Sequence, residues 1–350
     1  MYNVKIVKAT LSGEVREIRS NLKDGFFGSR DLFDVAVPTG GLGWGVFDLN
    51  HSDIGLWLVN KNVELSEKLD WSLEMHGKYA GVIDSLFRNK KINDKAFRHP
   101  ATYLDADEFY WYRKLFPAFY GFPIESGIYV PFIGSVGEKS GFSKTQLVKD
   151  AEYLAEYFSL NLEKPSYGCS EDTAKRERRI KKRMIYFLRF WLLLKNNIYV
   201  VDPADIISEM QKYDVYASEI YYLNNNVELI KKQASQLMKD CFSRLQTDLS
   251  ELDRQKAYLR RHYFKILMKN RWDFVLDKSG MKEMRPEISK RWIDSHEYIE
   301  AWVAMLGSIL DQEKWIAPEW RKVKVGGDTA FHHKFTVFMD KLLPFLGQLY

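Results

Sequence analysis

The sequence predicts an α+β protein whose first part, residues 1–168, is mixed and rich in glycine and aromatic residues. Its second part, residues 169–350, is predicted to be mostly α-helical. Sixteen of the 21 glycines lie in the first part, and none lies in residues 169–279. Only one proline, Pro203, lies in that stretch. Because glycine and proline interrupt regular structure, their near absence favours helices. We expect the two parts to form two domains.

The first part is predicted to combine short strands with one clear helix. Alternating or β-prone apolar residues predict strands at residues 1–11, 13–18, 46–50 and 54–60. The aromatic and proline-rich residues 108–134 predict loops and short strands. Ser143 and Gln146 have the spacing of a capping box and predict that a helix begins at Lys144.

The second part carries helical patterns on both sides of one predicted strand, residues 198–201. Pro203 is predicted to occupy the first turn of the following helix, where proline costs least. Residues 227–272 contain no helix breaker and predict one long helix or a tight helical hairpin. The helix before the strand has an apolar stripe of Ile180, Met184, Phe187, Leu188, Trp191 and Leu194.

Positive charge is concentrated in the middle of the chain, although the net charge is only +5. Residues 169–279 carry 22 Lys and Arg against 15 Asp and Glu, which is a net +7. Two basic segments, residues 175–183 and 254–271, hold seven cations each. They supply the candidate nucleic-acid-binding residues Lys175, Arg176, Arg178, Arg179, Lys181, Lys182, Arg183, Arg254, Arg260, Arg261, Lys265, Lys269 and Arg271.

These basic segments favour binding to a polyanion. Lysines and arginines on one helical face neutralise phosphates and release counterions. Tyr258, Tyr263 and Phe264 interleave the second segment and are candidates for stacking on unpaired bases. The leading prediction is a nucleic-acid-binding accessory protein, for DNA or RNA, that acts with other subunits. The alternatives are a solvated basic face and a scaffold that binds an acidic protein.

A second functional hypothesis is catalytic. Residues 291–296, RWIDSH, have the RxxxxH spacing of HEPN-type helical ribonucleases, which the sequence resembles over this short stretch. The resemblance implies that Arg291 stabilises a phosphate and that His296 acts as a general acid or base.

No cofactor or metal is expected from the motifs. The glycine-rich residues 40–45 lack the GxGxxG spacing of a dinucleotide loop and predict a turn or a close backbone approach. In residues 134–140, Glu138 stands where a phosphate-binding loop needs glycine, directly before the lysine.

A cytoplasmic protein without a membrane segment is expected. The N-terminus has no continuous apolar segment, and the most apolar run, residues 184–194, is too short to span a bilayer and contains Arg189. The two cysteines, Cys169 and Cys241, form no CxxC motif, which fits a reducing compartment.

Overall fold

The computed structural model describes residues 3–27, 33–44, 54–60, 63–88, 101–164, 173–213, 227–279, 296–324 and 328–350. The strands are β1 (Lys5–Val7), β2 (Val35–Thr39), β3 (Gly55–Asn60), β4 (Thr102–Asp105) and β5 (Ile198–Val200). The helices up to residue 168 are α1 (Gly13–Phe27), α2 (Gly40–Trp44), α3 (Lys68–Arg88), α4 (Ala106–Leu115), α5 (Phe122–Glu125) and α6 (Lys144–Leu160).

The later helices are α7 (Thr173–Asn196), α8 (Pro203–Tyr213), α9 (Val227–Ser243), α10 (Glu251–Lys278), α11 (His296–Leu310), α12 (Glu313–Lys324) and α13 (Asp328–Leu342). Short helical turns of other types cover Leu65–Glu67, Pro117–Gly121 and Leu343–Leu349. The chain is therefore an α+β protein with a helix-rich C-terminal part, as the sequence predicts.

In the described part of the chain, five strands form two small sheets. In the three-stranded sheet, β3 is central, with β2 antiparallel to it and β4 parallel to it. In the two-stranded sheet, β1 pairs in parallel with β5, so that Lys5 lies opposite Ile198. This second pairing joins the N-terminal strand to a strand from the predicted helical part.

The predictions for residues 169–279 are confirmed within the described part of that range. The strand after α7 is β5, and α8 begins at Pro203. Residues 227–272 hold two helices instead of one long helix, because α9 and α10 are separated by residues 244–250. The second helix begins with a capping box, because the side chains of Ser250 and Asp253 and their backbone N–H groups bond reciprocally.

Two predictions for the first part are wrong. Residues 13–18 were expected to be a strand, but they begin α1, whose buried positions recur every three or four residues at Val15, Ile18, Leu22 and Phe26. Residues 108–134, expected to be loops and strands, are largely helical through α4 and α5. The predicted strand at residues 46–50 lies outside the described residues.

The glycine-rich segment after β2 is a close backbone approach, as expected. Gly40 has a positive φ of 58° and begins the short helix α2. A side chain at Gly43 would collide with the carbonyl oxygen of Pro38 and with the ring of Tyr129. Glycine at residue 43 therefore lets α2 fold back onto the strand that precedes it.

One hydrophobic cluster draws residues from both sides of the predicted domain boundary. The rings of Tyr112 in α4 and Phe264 in α10, for example, lie 4.3 Å apart. The boundary itself, at residue 168, lies outside the described residues. The two parts of the chain thus share their apolar interior where the structure describes them.

A buried arginine ties α7 to its neighbours. The guanidinium of Arg189 donates to the carbonyl oxygens of Val200 at 2.7 Å and Val201 at 2.8 Å. It also lies 3.8 Å from the centre of the Trp44 ring in α2. A planar guanidinium can make both carbonyl contacts and the ring contact at once.

We predict that Arg189→Lys lowers the free energy of unfolding by about 2 kcal/mol or more, because one ammonium cannot replace the two hydrogen bonds and the stacking contact. Urea denaturation of the full chain measures the change. The control is Arg88→Lys, at a side chain that is 77% exposed and paired with Asp84, where a change below about 0.5 kcal/mol is expected. Equal effects at the two positions would contradict the structural role of Arg189.

Candidate nucleic-acid interface

Helix α6 packs against α10, which carries the second basic segment. Glu156 of α6 accepts hydrogen bonds from Nε of Arg254 at 2.8 and 3.0 Å. One residue further along α6, the ring of Tyr157 lies 4.4 Å from the guanidinium carbon of Arg261. The C-terminal half of α6 therefore fixes two of the predicted cations of α10.

The end of α6 also holds the first basic segment, which lies on α7. Arg179 donates to the carbonyl oxygens of Leu162 and Lys164, and Arg183 donates to those of Asn161, Leu162 and Lys164. These carbonyl groups lie at and just beyond the C-terminus of α6, where the helix dipole places partial negative charge. The arginines bring their positive charge to this end of α6.

Two aromatic rings connect the basic segments. The ammonium of Lys182 lies 5.9 Å from the ring centre of Tyr186, and the Tyr186 ring lies 5.1 Å from that of Phe158. On the other side of Phe158, the guanidinium carbon of Arg261 lies 5.8 Å from its ring centre. Lys182 and Arg261, 79 residues apart in the chain, are thus separated by two contacting rings.

We call this group of cations the α6 basic surface; it comprises Arg176, Arg179, Lys182, Arg183, Arg254, Arg261 and Lys265. Arg176 and Lys182 are exposed, whereas the other members are half-buried. Carboxylates neutralise part of the charge, since Glu163 lies 3.7 Å from Arg176 and Glu156 lies 2.8 Å from Arg254.

The structure corrects the expected position of two predicted binding residues. Arg260 is only 4% exposed, donates to the carbonyl oxygen of Leu349 and lies 3.8 Å from the Tyr350 ring centre. Arg271 is 0% exposed and bonds to Glu108. Neither can meet a phosphate in this conformation, because the helical period turns both toward the core.

Other predicted residues have different surroundings. Lys269 is paired with Asp273 at 2.9 Å on the same helix, and Lys181 is half-buried on α7. The side chains of Lys175 and Arg178 lie outside the described residues. The same is true of Arg291 and of the side chain of His296, whose backbone begins α11.

The aromatic residues expected to stack on bases are mainly packing residues. Tyr263 is buried and donates to the carbonyl oxygen of Met339 at 2.7 Å, and Phe264 is buried beside Phe116. Tyr258 is half-buried and donates to the hydroxyl of Tyr298 at 2.7 Å. The sequence analysis did not identify the rings that lie beneath the cations, which are Tyr157 and Tyr186. Their only local signal is the spacing of Lys182 and Tyr186, which are four residues apart on one helix.

A buried ionic network lies at the opposite end of α10 from Arg254. Arg271 donates through two nitrogens to both oxygens of Glu108, which sits in the first turn of α4. The ammonium of Lys68 lies among the carboxylates of Asp105, Glu108 and Asp340. The sequence signal for part of this network is the capping box formed by Asp105 and Glu108.

Burial and charge act against each other in the network. Burial favours the neutral form of Glu108, but Arg271 and Lys68 outweigh it and hold the pKa of this carboxyl below its usual value. Burial and the charge of Glu108 raise the pKa of Asp105 to about 6, against the opposing effect of Lys68. For Lys68, the same carboxylates overcome desolvation and raise the pKa.

Asp105, Glu108 and Asp340 also form the carboxylate group best placed to hold a metal among the described residues. One oxygen from each lies within 4.8 Å of the others. Lys68 already places an ammonium among these carboxylates, and Arg271 adds a second positive charge at Glu108.

Comparison of the chain with known proteins finds no matching family model, no matching curated protein and no matching solved structure. Within the described residues, every helix is too short or too polar to span a lipid bilayer.

We predict that Glu108→Gln lowers the free energy of unfolding by about 3–5 kcal/mol, because Arg271 would keep a buried charge without its carboxylate. The matched control is Asp105→Asn, an equivalent change in the same capping box. Asparagine retains the capping acceptor, and Lys68 retains two carboxylates, so we expect a cost of about 1 kcal/mol. Denaturant unfolding at pH 7 gives both values. A loss at Asp105→Asn as large as that at Glu108→Gln would show that Arg271 is not the decisive partner.

Proposed function

We propose that this chain is a cytoplasmic nucleic-acid-binding accessory protein, which works with other subunits and contacts phosphates through the α6 basic surface. The observation that carries the proposal is that only two contacting rings, those of Tyr186 and Phe158, separate Lys182 from Arg261. Two basic segments that are distant in sequence supply cations to the same end of one helix. A phosphate backbone needs several cations within reach of successive phosphates, and such clustering provides them.

The geometry favours contacts with phosphates over contacts with bases. Tyr157 lies beneath Arg261 and Tyr186 lies beneath Lys182, so that these rings support cations instead of presenting a free face. Phosphate contacts position a protein on nucleic acid but carry no sequence information. We therefore propose binding that depends strongly on salt and weakly on sequence.

Charge reversal on both sides of the connection tests the proposal. We predict that the double variant Lys182→Glu and Arg261→Glu binds duplex and single-stranded oligonucleotides at least about tenfold more weakly at 0.1 M salt. The log–log salt slope should fall in magnitude by about two contacts, each worth about 0.9 on duplex DNA and about 0.7 on single strands. Fluorescence anisotropy over a range of salt concentrations measures both quantities.

The control for this experiment is Lys78→Glu with Lys314→Glu. These two lysines are exposed, lie on α3 and α12, and give the same change in net charge. Lys182→Glu alone serves as a second test, because the Lys182 side chain is exposed and its replacement leaves the packing of Arg261 intact. Equal weakening by the test and control pairs, or no binding by the wild-type chain at low salt, would contradict the proposal.

The scaffold alternative has one observation in its favour. Arg254 and Arg176 each hold a carboxylate, from Glu156 and Glu163, so that the α6 basic surface already binds acidic side chains. An acidic protein partner captured by the wild-type chain but not by the charge-reversed pair, without any binding to nucleic acid, would favour the scaffold. The ribonuclease hypothesis stays a prediction, since Arg291 lies outside the described residues.

A further inference from the structure

Lys265 differs from its neighbouring cations on α10. Arg254 is paired with Glu156, and Lys269 is paired with Asp273. For the ammonium of Lys265, no hydrogen bond or ion pair joins it to another described residue. Its side chain is half-buried and lies one helical turn after Arg261, on the same face of the helix.

Arg261 also has a donor group without a hydrogen-bond acceptor. Its Nε is buried and has no hydrogen-bond partner within the described part of the chain. The face of its guanidinium is occupied by the Tyr157 ring, so the donors at its edge are the groups left for a ligand. A buried donor without an acceptor costs free energy that a bound acceptor would recover. Two cationic donors on one helical face therefore have no anionic partner among the residues that the structure describes.

We propose that Arg261 and Lys265 together bind one doubly charged tetrahedral oxyanion, a phosphate monoester or a sulfate. Arginine offers a planar fork to such a group, and lysine offers a point charge. Such an oxyanion can come from two kinds of molecule, a free phosphorylated small molecule or the terminal phosphate of a nucleic-acid strand. The site lies within the α6 basic surface and shares Arg261 with the backbone contacts proposed above, but it takes a ligand of its own.

Two titratable groups close to the cations, one on α10 and one on α6, are neutral at physiological pH. Burial and the charges of Lys265 and Arg261 lower the pKa of His262 to about 2, so that this imidazole is neutral. Tyr298 of α11 hydrogen-bonds to the His262 ring. On α6, burial raises the pKa of Tyr153 to about 12, which keeps this phenol neutral at physiological pH.

Three carboxylates on the packed elements have other partners or a pKa below 7. Burial raises the pKa of Asp150 on α6 to about 6, against the opposing charge of Arg260. Glu156 is bonded to Arg254, and Glu108 of α4 to Arg271. Among the groups named here, Lys265 is therefore the one whose charge changes between pH 7 and 9.

Ligand binding should take up a proton at Lys265. Burial, with the nearby charge of Arg261, lowers the pKa of Lys265 to about 7. An oxyanion favours the ammonium form, so that the pKa is higher in the complex than in the free chain. Affinity should approach its highest value well below pH 7 and should fall as the pH rises through 7, because each complex must then acquire a proton.

Calorimetric titration of the full chain with sulfate tests the site, since sulfate does not change its own protonation in this pH range. We expect binding to be about 25-fold weaker at pH 8.5 than at pH 6.5, which is the change in the protonated fraction of a group with a pKa of about 7. Lys265→Met should abolish binding. Lys265→Arg should bind at both pH values without the pH dependence, because arginine stays charged.

The control variant is Lys314→Met, at an exposed lysine on α12, which should bind sulfate as the wild-type chain does. No sulfate binding by the wild-type chain, binding that does not change with pH, or binding that survives Lys265→Met would overturn the proposal. Lys265→Arg also separates a ligand role from a structural one, because loss of packing alone would not remove the pH dependence while keeping affinity.

Single-stranded oligonucleotides with and without a 5′-phosphate distinguish the two sources. A wild-type preference for the phosphorylated strand that disappears in Lys265→Met assigns the site to a strand terminus. Sulfate binding without any binding of either oligonucleotide assigns it to a free phosphorylated molecule. In that outcome the nucleic-acid proposal fails while the oxyanion site stands.

Discussion

The pairing of Glu108 with Arg271 is the interaction on which the rest of the structure depends. Both side chains are buried, and an unpaired charge in that position would cost several kcal/mol, so α4 and α10 are held at one axial register. Lys68 extends the network to α3, and Asp340 extends it to α13. Arg261 lies ten residues before Arg271, or about 15 Å along the same helix. The register set at Glu108 therefore also sets the position of Arg261 against α6.

The proposed binding surface is preorganised by contacts beneath it. Arg261 rests on Tyr157, Lys182 rests on Tyr186, and Arg183 is bonded to the carbonyl groups at the end of α6. Side chains already fixed in place lose less rotamer freedom when a ligand binds, which favours affinity. Half-burial also strengthens their electrostatic interaction with an anion relative to fully solvated lysines. The same half-burial leaves Lys265 with a charge that depends on pH.

Local signals in the sequence predict much of this fold. The capping pair Ser143 and Gln146, and Pro203 at the start of α8, each mark a helix through contacts within a few residues. The strand expected at residues 13–18 was wrong because a short alternating stretch also fits the beginning of a helical pattern, which Leu22 and Phe26 complete. The interior positions of Arg260 and Arg271 could not be predicted, since Glu108 lies 163 residues from Arg271 in the chain. A run of cations does not by itself show that each of them is exposed, because a carboxylate distant in the sequence can pair with one of them in the interior.

The central claim is that nucleic acid lies on the end of α6, between α7 and α10. Photo-crosslinking of the wild-type chain to a single-stranded oligonucleotide that carries 5-bromouracil, followed by mass spectrometry of the crosslinked peptides, tests this location directly. The account predicts crosslinks to peptides from residues 156–164, 176–186 and 254–265, all of which disappear at high salt because the attraction is electrostatic. Crosslinks confined to α12 and α13, or crosslinks that persist unchanged at high salt, would contradict it.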